Sequence, residues 1–164
     1  MRKVEFIPFV LSEEVEIYSI KYEGDSKSEL EKFIFVFKDV DDLSLKKDYD
    51  EIIMTLVKMK EIGAEESFFR YEGKMKDRVC AIPIYSSKKN VKHRGTLRLY
   101  CLRLSNKLLI IGGGGEKETR SYQEDNSLRQ VVETLQKIDE ELMKLEREGV
   151  DMLKEIPNLV LNIK

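Results

Sequence analysis

The stretch Thr96 to Ile111 constrains the fold of this chain more than any other. Two runs rich in Leu, Ile and Tyr, TLRLYCLRL (96–104) and KLLII (107–111), are separated only by Ser105-Asn106. Both faces of each run are largely apolar, so these are strands that lie centrally in a sheet rather than at its edge. Ser105-Asn106 suits a tight hairpin turn. A third strand is read at 78–85 (RVCAIPIY), where Pro83 needs a bulge or an edge because it has no N–H to donate. Ser86 to Gly95 (SSKKNVKHRG) is a basic loop between strands, and Gly112 to Gly115 are expected to end the sheet.

The flanking segments change period. Residues 4–11 and 15–22 alternate loosely around Ser12-Glu13-Glu14 and read as a β-hairpin. Ser28 and Glu31 have capping-box spacing ahead of Leu30, Phe33, Ile34 and Phe37, which marks a short helix. A second helix runs from about Ser44 to Ile62 on the stripe Leu45, Tyr49, Ile52, Ile53, Leu56 and Met59, with Gly63 as its stop. The two are expected to form an antiparallel helical hairpin. A third helix, 127–148, aligns Leu128, Val131, Val132, Leu135, Ile138, Leu142 and Leu145, and the tail adds a short strand at 159–163. The order ββαα–βββ–α is α+β. The expected architecture is a small antiparallel sheet packed against the helical hairpin. Residues 1–125 form the main domain, and 126–164 form a C-terminal helical extension packed on it.

Charge is distributed unevenly. The net charge of the 164 residues is −2, yet Arg70 to Arg120 holds 13 Lys/Arg against 4 Asp/Glu, a local +9, and the remainder holds 16 against 27, or −11. A basic face on an acidic body bears on partners rather than on fold. The apolar run Phe6 to Leu11, interrupted by Pro8, is too short for a signal segment or a membrane span, so a cytoplasmic setting without membrane attachment is expected. Cys80 and Cys101 lie in apolar strands and read as buried free thiols. A single histidine and no Cys/His spacing argue against a structural zinc site, and no cofactor is expected. The glycine run is followed by Glu116-Lys117-Glu118-Thr119 rather than by the Lys-Ser/Thr and helix of a phosphate loop, so it reads as a turn.

The basic segment carries the candidate chemistry. Arg70, Lys74, Lys76, Arg78, Lys88, Lys89, Lys92, Arg94, Arg98, Lys107, Lys117 and Arg120 come from strands and loops that one small sheet would gather, with Tyr71, Tyr85, Tyr100 and Tyr122 interleaved. Cations for phosphates and aromatic faces for stacking are what single-stranded RNA requires, and the other reading of the same residues is a solvated Lys/Arg surface with core tyrosines. Arg98 stands out because arginine inside an apolar strand is costly unless it is paired or serves an anion. Strand parity places it on a face with Tyr100, Leu102 and Leu104, while Arg103 points to the other face and reads as structural. His93 reads as a surface residue among Lys92 and Arg94 that contributes to RNA binding.

The segments SFFRYEGKMKDRVCAIPI (67–84) and GTLRLYCLRLSNKLLIIGGGGEKETRSYQED (95–125) together resemble the RelE/ParE/HigB superfamily of toxin–antitoxin toxins. Phe68, Phe69 and Arg70 are similar to its turn into the sheet. Arg98, Leu99 and Tyr100 are similar to its arginine–apolar–tyrosine strand, and Lys117, Thr119 and Arg120 to its basic end. The resemblance covers roughly residues 1–125. It implies a RelE-like fold and a metal-independent, ribosome-associated mRNA endoribonuclease, neutralised by a helix-turn-helix antitoxin. The implied catalytic residues are Arg98, Lys117, Arg120 and Tyr122; the two arginines would hold phosphorane charge, Lys117 (or Lys74 or Lys76) would act as base, and Tyr122 would exchange a proton or stack. The implied RNA-binding residues are Arg70, Lys74, Lys76, Arg78, Lys88, Lys89, His93 and Tyr100. Glu116 and Glu118 flank Lys117, the chain is acidic overall, and the last helix is extra to the family's pattern. These departures motivate the alternative of a non-enzymatic module that binds a protein partner or RNA.

Overall fold

The computed structural model describes residues 1–71, 77–84, 96–117 and 126–164. Among these, seven strands form one sheet: β1 (Arg2–Leu11), β2 (Glu16–Tyr22), β3 (Arg70–Tyr71), β4 (Val79–Ala81), β5 (Thr96–Ser105), β6 (Leu108–Lys117) and β7 (Val160–Ile163). The helices are α1 (Glu29–Phe37), α2 (Leu43–Ile62), α3 (Asn126–Arg147) and the single turn α4 (Met152–Glu155). The fold is α+β.

Strand order across the sheet is β3-β4-β5-β6-β2-β1-β7, with β5 and β6 central as their apolar faces require. The expected small antiparallel sheet is corrected in two respects. The sheet is larger, and β2 runs parallel to β6, pairing from Glu16↔Leu108 to Ser19↔Ile111. Past that point β2 pairs only with β1, and β6 only with β5. Helix α1 lies where the two strands part, its Leu30 N–H donating to the buried Ser19 Oγ at 2.9 Å.

Both faces carry a core. On one, α1 and α2 pack Leu30, Phe33, Tyr49, Ile52, Leu56 and Met59 onto Ile17, Leu97, Leu99, Cys101, Leu109 and Ile111. On the other, α3 packs Leu128, Val132, Leu135, Ile138 and Leu142 onto Tyr18, Tyr100, Leu102 and Ile110. The segment expected as an appended extension is part of the same sheet and core. Strand β7 pairs with β1 from Arg2↔Ile163 to Glu5↔Val160, and Leu161 and Ile163 face α3. The α1–α2 layer stops short of β1 and β7, where Lys3, Glu5 and Asn162 are exposed.

Local chemistry explains the helix ends. The Ser28 box is present, with Ser28 Oγ accepting from Glu31 N and Glu31 Oε1 accepting from Ser28 N. Asp42 caps α2 by accepting from Ser44 and Leu45 N–H. Gly63 ends α2 at φ +97°, a left-handed-side conformation that favours glycine.

The glycine run does not end the sheet; it lies inside β6, which continues to Lys117. Tyr100 pairs with Gly113 and Cys101 with Ile111, so Gly112 is the extra residue of a bulge. A Cβ on Gly112 would stand 2.5 Å from Leu135, and one on Gly114 only 1.9 Å from the Arg98 carbonyl oxygen. These glycines are demanded by close approach of α3 and β5. The strand expected at 78–85 is confined to Val79–Ala81, with Pro83 beyond it. Among the described residues no helix is long and apolar enough to cross a membrane.

Candidate nucleic-acid interface

Antiparallel register builds the candidate site at the end of the sheet where β5 begins and β6 finishes. Thr96 pairs with Lys117, and Arg98 with Gly115. Two cationic residues that are 19 positions apart in the chain thus share one end of the sheet. Arg98 is half-buried, and its Nη1 donates to Thr96 Oγ1 at 2.7 Å and to the Leu97 carbonyl at 3.0 Å. Gly115 opposite has no side chain to crowd the guanidinium. Lys117 is half-buried at the last residue of β6.

Two expected RNA-binding residues are placed elsewhere by the fold. Tyr100 shares the face that parity assigned to it, but α3 covers that face and the ring has no solvent exposure. It is a core residue and offers no surface to a base. Arg78 is held by α3: its backbone N–H donates to Asp139 Oδ2 and its Nε to Asp139 Oδ1, both at 2.8 Å, while Nη2 reaches Glu146 at 2.7 Å. Asp139 is fully buried. Burial pushes its carboxyl above the ordinary range, against the opposing pull of the Arg78 bonds. Burial also acts to lower the Arg78 pKa, but its bonds to Glu146 and Asp139 outweigh this and raise it. Arg78, just before β4, is engaged by α3 through its ion pairs with Asp139 and Glu146.

Arg70 stands exposed on the short edge strand β3, next to the exposed Tyr71. Lys74, Lys76, Lys88, Lys89, His93, Arg120 and Tyr122 lie outside the described residues, as do Tyr85, Lys92, Arg94 and Thr119. Thr96 and Lys117, which adjoin the segments 85–95 and 118–125, are cross-strand partners.

Two buried carboxylates escaped the sequence reading. Besides Asp139, Asp48 on α2 has no exposure and accepts from the Leu97 N–H at 3.2 Å, fixing the start of β5 from the face opposite Arg98. Each interrupts an apolar helical stripe, Asp48 beside Leu45, Tyr49 and Ile52 and Asp139 beside Leu135, Ile138 and Leu142, which is a legible signal of an internal partner. Cys80 and Cys101 are free and buried, cross-strand partners with sulfurs 3.6 Å apart. Burial pushes the Cys101 thiol well up. Among the described residues no group of three His, Cys, Asp or Glu side chains is arranged to hold a metal. Comparison with known proteins finds no matching family model, no matching curated protein and no matching solved structure.

Proposed function

We propose that the chain is a RelE-like toxin: a metal-independent, ribosome-associated mRNA endoribonuclease of the cytoplasm, restrained by a helix-turn-helix antitoxin. The observation that carries this reading is the register joining Arg98 and Lys117 at one end of β5 and β6. It is supported by the run β2, α1, α2, the Phe69-Arg70 entry into β3, then β4, the Arg98-Leu99-Tyr100 strand β5 and β6, which contains the pattern that the resemblance implies with β1, β4 and α3 to β7 in addition.

In such a site the 2′-hydroxyl of the substrate attacks the adjacent phosphate, so the nucleophile is supplied by the RNA. The new P–O bond forms as the bond to the 5′-oxygen breaks. The protein must remove one proton, stabilise the pentacovalent charge and return a proton to the leaving oxygen. Arg98, fixed by its bonds to Thr96 and Leu97, is preorganised to meet that charge, and the resemblance assigns the same role to Arg120. In this reading Lys117 takes the role of base, and Tyr122 donates to the leaving oxygen.

A second reading is favoured by the interior placement of Tyr100 and the engagement of Arg78 by Asp139 and Glu146. Both features remove expected RNA contacts and fit a module that binds RNA or a protein without cleaving it. The two readings separate in a translation extract with mapped messenger ends. The nuclease reading expects discrete new 5′-ends that persist when divalent cations outside the ribosome are held to the minimum for translation. Intact messenger, with a gel shift that weakens as salt rises, would transfer the conclusion to the binding module.

A further inference from the structure

Strand β4 stops before the open end of β5 is reached. It pairs with β5 as far as Ala81↔Tyr100, and the Ile82 N–H then donates to the Leu99 carbonyl at 3.1 Å. Alternate residues of a strand turn their N–H and C=O to the same edge, so those of Leu97 face the side where β4 has ended. Leu97 is fully buried, and a buried backbone group without a partner is costly. Side chains take the place of β4 here. The Leu97 N–H donates to Asp48 Oδ2 at 3.2 Å, and the Leu97 carbonyl accepts from Arg98 Nη1 at 3.0 Å.

These two bonds join the core to the candidate site. Asp48 has no exposure and sits on the stripe of Leu45, Ile52 and Leu56 that packs α2 onto the sheet. A carboxylate at such a position is costly, and packing alone would be served by a leucine. What the carboxylate supplies is an acceptor held in place by the helix and its buried stripe. It takes the N–H of the peptide that joins Thr96 to Leu97. On either side of that peptide lie the two acceptors of Arg98 Nη1: Thr96 Oγ1 at 2.7 Å and the Leu97 carbonyl. A peptide free to turn would carry both acceptors with it, and the guanidinium would follow them.

We propose that Asp48 is a positioning residue, which acts through the Thr96–Leu97 peptide to hold the Arg98 guanidinium at the open end of the sheet. Its consequence for cleavage rests on the nuclease reading; its structural part does not. The test uses the full chain as wild type, Asp48→Ala, Asp48→Asn, Arg98→Ala and the double alanine variant, each shown to be folded by circular dichroism. If Asp48→Ala does not fold, Asp48→Leu, which fills the stripe, replaces it. The first measurement is the NMR spectrum of the Arg98 guanidinium nitrogens, identified by their loss in Arg98→Ala. Wild type should give separate Nη1 and Nη2 signals, because the bonds to Thr96 and Leu97 hinder rotation, and in Asp48→Ala the two should merge. The second is single-turnover cleavage of a defined messenger on purified ribosomes. Asp48→Ala should lower the maximal rate about tenfold or more and leave the half-saturating concentration within about twofold of wild type. Asp48→Asn, whose amide oxygen can still accept from Leu97, should keep a rate within about threefold of wild type. In the Arg98→Ala background Asp48→Ala should remove nothing further, since it acts only through Arg98. Separate Nη signals that persist unchanged in Asp48→Ala overturn the proposal. So does an equal loss of rate with and without Arg98, or an Asp48→Asn variant as damaged as Asp48→Ala. If wild type cleaves nothing, the nuclease reading fails, and the NMR result alone decides whether Asp48 positions Arg98.

Discussion

The hairpin of β5 and β6 has two ends, and each carries basic residues. At the turn, Arg103 Nε donates to the Ala64 carbonyl at 2.7 Å, its Nη2 bonds Asn106, and Lys107 Nζ donates to the Glu13 carbonyl at 3.0 Å. Those cations close the end of α2 and the β1–β2 turn onto the sheet. At the other end stand Arg98 and Lys117, next in the chain to the basic segment 85–95 and to the segment 118–125, which sets Arg120 among Glu118, Glu124 and Asp125. Residue type is the same at both ends. What distinguishes them is what their bonds join: the cations of the turn end bond carbonyls of other elements, whereas Arg98 bonds Thr96 and Leu97 of its own strand and lies close in sequence to the basic segment 85–95. Charge along a sequence therefore bears on an anion site only once the fold's own use of each cation is known.

The largest effect that sharpens this contrast is expected from the glycines that shape the open end. In Gly114→Ala the new methyl would stand 1.9 Å from the Arg98 carbonyl, a backbone atom that cannot yield without breaking the β5–β6 pairing. A loss of more than about 4 kcal/mol, or failure to fold, is expected by urea denaturation. Gly115→Ala meets only Leu128 at 3.6 Å, ordinary contact, and should change stability by no more than about 1 kcal/mol. Equal effects at the two positions would mean that the strands are not in this register.

Next in size is the comparison of two engaged arginines. Asp139→Ala leaves Arg78, whose side chain is 23% exposed, with only Glu146 among its two carboxylate partners. A loss of about 2–3 kcal/mol is expected, below the usual range for a fully buried pair because Arg78 keeps some contact with water. Arg103→Ala removes bonds at the turn end and should cost about 1–2 kcal/mol. If Asp139→Ala were neutral, Arg78 would be available to an anion after all and would rejoin the candidate site.

The smallest effect is a pH dependence. The bond from Lys32 to Asp25 Oδ2, 2.6 Å long, lowers the Asp25 pKa below its ordinary value of 3.8 despite a small opposing effect of burial. A carboxyl whose folded pKa is lowered adds stability above its unfolded pKa, and that contribution is lost as pH falls through the folded value. Asp25→Asn should therefore flatten the acid limb of a stability–pH profile by lowering stability slightly at neutral pH and leaving the acid end nearly unchanged. A steeper acid limb in the variant would contradict the assignment.

Much of this fold was legible because its signals are local. The Ser28 box, the Gly63 stop, the apolar run of β5 and the long apolar stripe of α3 each depend on residues within a few positions of one another. The parallel pairing of β2 with β6 joins residues about 90 positions apart, and no short-range pattern encodes it. The glycines of β6 were misread for a related reason, since Leu135 and the Arg98 carbonyl that require them belong to other elements. At the site, parity placed Arg98 and Tyr100 on one face, but only the packing of α3 shows that this face is covered. Arg78 looked like a free cation because Asp139 lies 61 residues later. Both residues are engaged by one helix, read from the sequence as an extension packed on the domain, which covers one face of the sheet.

The central claim is that the open end of β5 and β6, and not the turn end, carries the activity. The direct measurement is messenger cleavage in a translation extract by wild type, Arg98→Ala and Arg103→Ala, each first shown to be folded. The account predicts that Arg98→Ala reduces cleavage by about 100-fold or more, the usual consequence of losing a donor to a developing anion, while Arg103→Ala retains cleavage close to wild type. Unchanged cleavage in Arg98→Ala, or a loss in Arg103→Ala as large as that in Arg98→Ala, would contradict it.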